Sequence, residues 1–452
     1  MYMNQKENLK LFQSNQFSVE IFGLGYVGFP LAIRLAKFGL KVKGIDINPQ
    51  RLERLLSNDL YESELNLKEE FLQSKKSGNL EISQSSVKTN FPKIGIICVP
   101  TPIPNEKTKS IKYVKTAVEN FLDSANKGDI IILESSIEVG TTEEIEKIIL
   151  SKGFKVGEDL GLCFCPERID PANKEWGIEN IPRVIFCSDD FSYDICKIIY
   201  KNVNGGNLVR VSSSRVAEVV KSFENAFRLV NISLVNELAI LCDNLGISAK
   251  EVIDAAASKP FGFLPHYPGA GAGGHCIPKD PRFLLESAKK HEVNFETIHN
   301  ALRINSGMPQ YIVNSIVKDL EKMNLDKTIL VSGLSYKANV EDMRDSASFK
   351  IISELKKRNC KVSAYDPFFN FEFLDKYLIE NNLEEFDIEV LTDVNKENIK
   401  KFSCLCIVQH HDISKQKIQE IYEKSLIPYI YDCQNKLKKN NLSKTLIEGL
   451  GF

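Results

Sequence analysis

The sequence predicts an α/β protein: two Rossmann-like, doubly wound domains joined by a long central helix. Three observations carry that prediction. A glycine-rich turn follows a short apolar strand near the N-terminus. Residues 213–245 run without proline at helical spacing, and the strand-and-turn pattern returns in the last third. At 452 residues the chain is too long for one ordinary core, because single cores stop growing at roughly 250–300 residues. The expected division is a cofactor-binding domain over residues 1–205, a central helical and dimerisation domain over 206–324, and a second Rossmann-like domain over 325–452.

The first βαβ unit begins with an apolar strand at residues 18–22. The G-x-G-x-x-G of Gly23, Gly25 and Gly28 follows at once, and a helical pattern continues through "FPLAIRLAKFGL". A second strand, "KVKGID", ends in Asp46. The first two glycines permit a tight turn and close approach of a pyrophosphate to a helix N-terminus, and the third lets helix and strand pack. Asp46 would accept hydrogen bonds from adenosine ribose hydroxyls, which favours NAD over NADP. Further strands at "IGIICVP" and "DIIILESS" end in polar or turn residues, where ligands approach such sheets.

In residues 213–245 Ser213 or Ser214 is placed to cap a helix about 50 Å long, enough to bridge domains or support a dimer. Lys221, Asn225 and Arg228 fall at i, i+4 and i+7 and share one face. That face is either a solvated polar stripe or a functional one. The loop "GAGAGGHCIPKDP", Gly269 to Pro281, is too rich in glycine for a helix or strand, so its backbone should pass close to something. Its Cys276 reads equally as a small buried hydrophobe or as a reactive thiol. Farther on, "TILVSGLSYK", "CKVSAYDP", "FSCLCIVQ" and "PYIYDC" read as strands of the second domain. Its first turn has Gly333 but no second or third glycine, so it should hold a nucleotide differently or bind no NAD.

Composition narrows the class. A hydrophobic fraction of 43% and a charged fraction of 26% suit a soluble globular protein. The 58 basic and 60 acidic side chains nearly cancel, which argues against a nucleic-acid or membrane-surface protein. No apolar run approaches the ~20 residues of a membrane span. The polar N-terminus lacks a signal-peptide core, so a cytoplasmic location is expected. The 11 cysteines contain no C-x-x-C and the 6 histidines no H-E-x-x-H, so no metal is expected. Each C-x-C pair, Cys163 with Cys165 and Cys404 with Cys406, should lie on one face of a strand. His410 and His411 should point apart, in a polar loop.

Together these stretches resemble the UDP-glucose/GDP-mannose dehydrogenase family across essentially the whole chain. The matching runs are "GLGYVGFPLA", "CVPTP", "LESSIEVGTTEE", "CPERIDP", "VVKSFENAFRLVNISLVNELA", "GAGAGGHCIPKDP", "GLSYKANVEDMRDS" and "YDP". The resemblance implies oxidation of the C6 hydroxymethyl of a nucleotide-linked sugar to a carboxylate with two NAD⁺, a UDP-binding C-terminal domain, and a homodimer or larger homo-oligomer. It also gives Cys276 a reason. An aldehyde has no second hydride to give until a nucleophile adds to it, and a thiolate can add and then leave a thioester for water to cleave.

Other roles follow from the resemblance. Lys221 matches the family's catalytic lysine, and Asn225 would hold the same substrate oxygen. Glu167 matches a glutamate implicated in acid–base work during thioester hydrolysis. Asp280 and Ser136 match residues that orient the lysine and a water, with serine at 136 where many relatives carry threonine. Tyr26, Val27, Asp46, Arg51, Thr101 and Arg344 join Gly23, Gly25 and Gly28 at the cofactor. Arg168, Arg228, Gly271, His275, Tyr336 and Lys337 join Lys221 and Asn225 at the UDP-sugar. His275, Ile277 and the "KPFGF" run resemble the N-acetylglucosamine branch, whereas Lys279 resembles the UDP-glucose branch. UDP-N-acetylglucosamine is the expected substrate, with UDP-N-acetylmannosamine or UDP-glucose as alternatives. A two-electron hydroxyacid dehydrogenase would need no nucleophilic cysteine. A non-catalytic nucleotide-sugar sensor would be expected to lose Lys221 or Cys276, and both are present.

Overall fold

A computed structural model describes residues 5–101, 111–169, 173, 175–274, 276–368, 388–438 and 443–451. The chain forms two compact units, Met1–Phe223 and Glu224–Phe452.

The first unit holds an eight-stranded sheet in the order β3-β2-β1-β4-β5-β6-β7-β8. Its strands are β1 (Ser18–Phe22), β2 (Lys41–Ile45), β3 (Leu80–Ser83), β4 (Lys93–Ile97), β5 (Ile130–Leu133), β6 (Gly161–Phe164), β7 (Arg183–Cys187) and β8 (Leu208–Arg210). Every neighbouring pair is parallel except β6 with β7. The apolar runs that mark β4 and β5 in the sequence are buried along their whole length, as parallel strands covered on both faces should be. Alternation divides them between two cores. Ile130 and Ile132 pack with Val19, Ile21, Ile94 and Ile96. Ile131 and Leu133 pack on the other face with Phe22, Ile97 and Phe164. This arrangement brings the carboxyl ends of β1, β2, β4 and β5 to one edge of the sheet.

The second unit holds a fully parallel sheet in the order β11-β10-β9-β12-β13-β14. Its strands are β9 (Thr328–Ser332), β10 (Lys361–Tyr365), β11 (Glu389–Leu391), β12 (Cys404–Ile407), β13 (Tyr429–Asp432) and β14 (Leu446–Gly449). Taken in chain order, these six strands repeat the arrangement of the first six strands of the other sheet. Both are the doubly wound order expected of dinucleotide-binding folds.

The long helix spans Ser214–Leu245, 32 residues. Ser213 caps it, its Oγ accepting from the Val216 N–H at 3.3 Å. Near its start the buried Glu218 carboxylate accepts from the Gly140 N–H at 2.7 Å, the Thr142 N–H at 2.9 Å and the Thr142 hydroxyl at 2.7 Å. That carboxylate covers the N-terminal turn of helix Thr141–Ser151, where negative charge is favoured. By length and composition alone, helix Ser214–Leu245 could cross a bilayer, with a mean hydropathy of 1.2 over 18 residues, 44% of them buried inside the protein. Its apolar residues are broken up by Ser and Asn, so no uninterrupted run reveals what the average does.

Candidate active site

At the end of β1 the chain turns through Gly23 at φ +90°, and a Cβ there would lie 2.8 Å from the Cys98 carbonyl oxygen. One on Gly28 would lie 2.0 Å from the Gly23 carbonyl oxygen, while one on Gly25 would meet nothing within 4 Å. Gly23 and Gly28 are thus demanded by packing, and Gly25 leaves open space at the start of helix Gly28–Lys37. Val27 occupies the cap position of that helix, and no side chain caps it. Tyr26 is exposed beside it, and Thr101 is buried after β4. A pyrophosphate fits this cradle, because the exposed backbone and the uncapped helix end both favour an anion.

Asp46 ends β2 with one oxygen on the Leu24 N–H at 2.8 Å and the other on the Asn48 N–H at 2.9 Å. Arg51 lies behind the turn, not open beside it. Its Nε donates to the Leu24 carbonyl at 2.8 Å, and its two Nη atoms grip Glu64 at 2.9 and 2.6 Å. Its guanidinium is therefore committed to Glu64, and it also lies over the Phe29 and Tyr61 rings.

The second unit repeats the turn with a different outcome. Gly333 also has φ +90°, and Leu334 donates its N–H to Asp366 at 2.6 Å as Leu24 does to Asp46. Asp366, however, is buried, and four further contacts occupy it. Ser335 N–H, Ser335 Oγ and His411 Nε2 converge on Oδ2, and the Phe368 N–H reaches Oδ1. Burial opposes its charge, but the His411 contact and these donors hold its carboxyl below the usual range. A carboxylate so engaged has little left for a ribose. The cofactor acid of the first turn thus has a structural counterpart in the second that is closed to such a ligand.

In the first unit Glu167 follows β6 and is 9% exposed. Its Oε1 accepts the N–H groups of Arg168 at 2.6 Å and Ile169 at 2.8 Å, and its Oε2 pairs with Arg183. Arg168, half-buried, donates to the Pro182 carbonyl at 2.8 Å. Ser136 is half-buried after β5. Beside it, Ser135 Oγ donates to the Val99 carbonyl at 2.8 Å.

The second unit explains the glycine-rich loop. Asn305 clamps its backbone, accepting the Ala272 N–H at 2.7 Å and donating to the Ala272 carbonyl at 3.0 Å. A Cβ on Gly271, at φ +112°, would lie 2.8 Å from the Asn305 carbonyl oxygen. On Gly273 it would lie 2.5 Å from the Asp345 carbonyl oxygen, and on Gly274, at φ +77°, 2.8 Å from the Tyr336 ring. Glycine is required because the backbone is pressed between these groups. Cys276 follows, half-buried, and its carbonyl accepts the N–H groups of Lys279 at 3.2 Å and Asp280 at 2.9 Å. The thiol thus sits on the turn that opens helix Asp280–Lys290.

Asp280 is fully buried. It accepts from Asn225 Nδ2 at 2.7 Å and has the buried Lys279 ammonium 3.8 Å away. The sequence-predicted pair Asn225 and Asp280 is therefore brought together. Lys221 stands one turn before Asn225 along helix Ser214–Leu245 and is half-buried, and Arg228 is exposed on it. Tyr336 packs on Gly274, and Lys337 is half-buried beside it. Arg344 fits its guanidinium to Asp342 at 2.6–3.2 Å, while its carbonyl accepts the Gly274 N–H at 3.1 Å. His275 lies outside the described residues.

Sequence reasoning missed Asn305 and the Arg183 cluster, and it read Lys279 only as a mark of the substrate branch. A charged residue opening the apolar run "RVIF" was the available signal for Arg183. The two histidines lie in the loop after β12, as expected. They point to different partners, but both are buried: His410 Nε2 meets Asp432 at 2.7 Å, and His411 Nε2 meets Asp366 at 3.2 Å. Both C-x-C pairs are buried on single strand faces as expected. Cys163, Cys187 and Cys196 also converge, with sulfurs 3.6 and 3.9 Å apart across Cys196. They form the one group among the described residues close enough to share a metal ion, and they lie within the apolar core of the first sheet.

Comparison with known proteins covers both units. Three domain descriptions of one family match in order: the UDP-glucose/GDP-mannose dehydrogenase NAD binding domain over residues 17–204, its central domain over 215–307, and its UDP binding domain over 330–439. A UDP-N-acetyl-D-mannosamine dehydrogenase of Methanococcus vannielii is 34% identical over 428 residues, 93% of each chain. A UDP-N-acetyl-D-glucosamine 6-dehydrogenase of Pseudomonas aeruginosa is 34% identical over 361 residues, 78% of this chain and 83% of its own. The solved structure of a UDP-D-ManNAc dehydrogenase from Pyrococcus horikoshii superposes with a TM-score of 0.82 at 27% identity, covering 96% of this chain and 99% of its own.

Proposed function

The chain belongs to the UDP-glucose/GDP-mannose dehydrogenase family and is an NAD-dependent nucleotide-sugar dehydrogenase, and we propose that it oxidises C6 of a UDP-N-acetylhexosamine to the uronic acid through Cys276. The observation that carries this reading is the clamped glycine loop, which fixes a half-buried thiol at a helix start beside the Asn225–Asp280 pair. Helix N-termini favour negative charge, which suits a thiolate nucleophile and an anionic substrate alike.

Bound NAD⁺ would lie on Gly23, Gly25, Gly28 and Asp46 and would supply the hydride acceptor for each oxidation. The chain's residues do the rest. Lys221 takes part in removing the C6 hydroxyl proton and then stabilises the oxyanion. Asn225, held by Asp280, donates to the same oxygen. Cys276 Sγ adds to the aldehyde carbon, and the tetrahedral adduct can lose a second hydride to leave a thioester. Glu167 serves the water that cleaves it. Arg168, Arg228, Gly271, Tyr336 and Lys337 would contact the UDP-sugar, the basic side chains meeting the pyrophosphate charges; Ser136 orients a water, and Thr101 and Arg344 complete the cofactor site.

The first reading of the sugar is UDP-N-acetylglucosamine, from the "GGHC" and "KPFGF" runs. The second is UDP-N-acetylmannosamine, favoured because five relatives bearing that name match 92–96% of this chain. Initial rates on UDP-N-acetylglucosamine, UDP-N-acetylmannosamine and UDP-glucose at equal sub-saturating concentration test both. An acetamido pocket is worth about 1–3 kcal/mol of discrimination, so UDP-glucose should be slower by roughly 10-fold or more. A UDP-glucose rate equal to the others would make Lys279 the better guide to the branch. A lead for the manno sugar would change only the epimer.

We also infer that the protein works as a homodimer or larger homo-oligomer. Phe223, Phe227, Leu234 and Leu241 are exposed along one side of helix Ser214–Leu245. They fall within a narrow stripe at 100° per residue. A second copy covering that stripe would remove it from water.

A further inference from the structure

In the first unit, β5, β6 and β7 bring together a buried cluster of which the proposed chemistry uses only Glu167. The Arg183 guanidinium, 0% exposed, stands between two carboxylates. Its Nη1 is 2.9 Å from Glu134 Oε1, and its Nη2 pairs with Glu167 Oε2. Tyr200, also 0% exposed, donates its hydroxyl to Glu134 Oε1 at 2.5 Å, and its ring lies 5.1 Å from the guanidinium carbon. Removing such ions from water costs several kcal/mol each, and apolar replacements are often at least as stable. A buried triad of this kind therefore calls for a role beyond stability.

The hydrogen bonds indicate which role. A carboxylate offers about four lone-pair sites. Glu167 gives two from Oε1 to the Arg168 and Ile169 N–H groups and one from Oε2 to Arg183. Among the described residues one site on Oε2 is left, in a direction set by the guanidinium. We propose that Arg183, itself held by Glu134 and Tyr200, is a positioning residue that aims Glu167 at the water of thioester hydrolysis. This rests on the reading of Glu167 as the acid–base residue of that step. In the step, water oxygen adds to the acyl carbon and gives a proton to Glu167. The C–S bond then breaks with its electron pair on Cys276 Sγ, and the sugar leaves as the carboxylic acid.

Glu134 adjusts the charge that Arg183 presents. The groups facing the cluster are Glu134, Glu167, Arg183, Tyr200 and the thiols of Cys98 and Cys165. Burial pushes both thiols up, Cys165 to about 12, so they add no charge at neutral pH. Burial also pushes Glu134 up, against the pull of Arg183. When ionised, Glu134 competes with Glu167 for one cation.

Three variants test the inference: Glu134→Gln, Arg183→Lys and, as reference, Glu167→Gln. Glu134→Gln keeps shape and removes the competing anion, so the charged form of Glu167 gains and the acid limb of kcat should move about half a pH unit or more lower. Arg183→Lys replaces a fork that spans two carboxylates with a point charge. It should lower kcat about 10–100-fold at little change in KM, and mass spectrometry of quenched enzyme should show sugar bound to Cys276. Glu167→Gln should accumulate the same adduct more fully. Normal turnover in Glu167→Gln overturns the role of Glu167 itself. A blocked Glu167→Gln, with wild-type pH profile and no adduct in the other two, overturns only the positioning by Arg183. If Arg183→Lys fails to fold by circular dichroism, the pH profile of Glu134→Gln decides.

Discussion

Cys276→Ser abolishes uronic acid formation, with a fall in its rate of at least about 10³-fold. The expectation follows from the chemistry of the second oxidation. An alcohol carries one removable hydride on C6, and the resulting aldehyde can give another only after a nucleophile has made its carbon tetrahedral. A serine hydroxyl is far less ionised than a thiol at neutral pH. The substitution should leave the loop in place, because Asn305 and Tyr336 fix its backbone through Ala272 and Gly274, not through the thiol. The rate of uronic acid formation by the purified variant, beside thermal unfolding to verify the fold, measures the effect. Full turnover would return Cys276 to a packing role.

NADP⁺ is used with a kcat/KM at least about 10²-fold below that of NAD⁺. The Asp46 carboxylate at the end of β2 is fixed by the Leu24 and Asn48 N–H groups. A 2′-phosphate placed beside it would set like charges together, which costs several kcal/mol. The nearby cation that could relieve this is Arg51, and its guanidinium is already bound to Glu64 over two short contacts. Comparable efficiency with the two cofactors would show that Asp46 does not face the ribose.

What could be read from the sequence follows how local its cause is. The first turn was legible because the glycines, the strands on both sides and Asp46 lie within one short stretch. Strands β1, β4, β5, β9, β12 and β13 are largely apolar runs, and β2 and β10 alternate polar and apolar residues before an acid. Strands β3, β8, β11 and β14 have only three or four residues, mixed in character, and were passed over. Helix Glu296–Lys322 was missed because Pro309 lies inside it. Packing of Ile312, Val313, Ile316 and Leu320 in the core overrides the local cost of that proline. Cys276, Lys221 and Glu167 stood out through family motifs. The groups that hold Glu167 and the Cys276 loop did not, since Arg183 and Asn305 reach them from distant parts of the chain. Burial and pairing of that kind have no local signature.

The central claim is that one site carries out two successive oxidations on a single sugar. The number of NADH formed per UDP-N-acetylhexosamine consumed, measured with limiting sugar alongside an aldehyde-trapping reagent, tests it most directly. Two NADH per sugar with no free aldehyde is the predicted result. One NADH per sugar with aldehyde released would contradict it and leave a simple two-electron dehydrogenase.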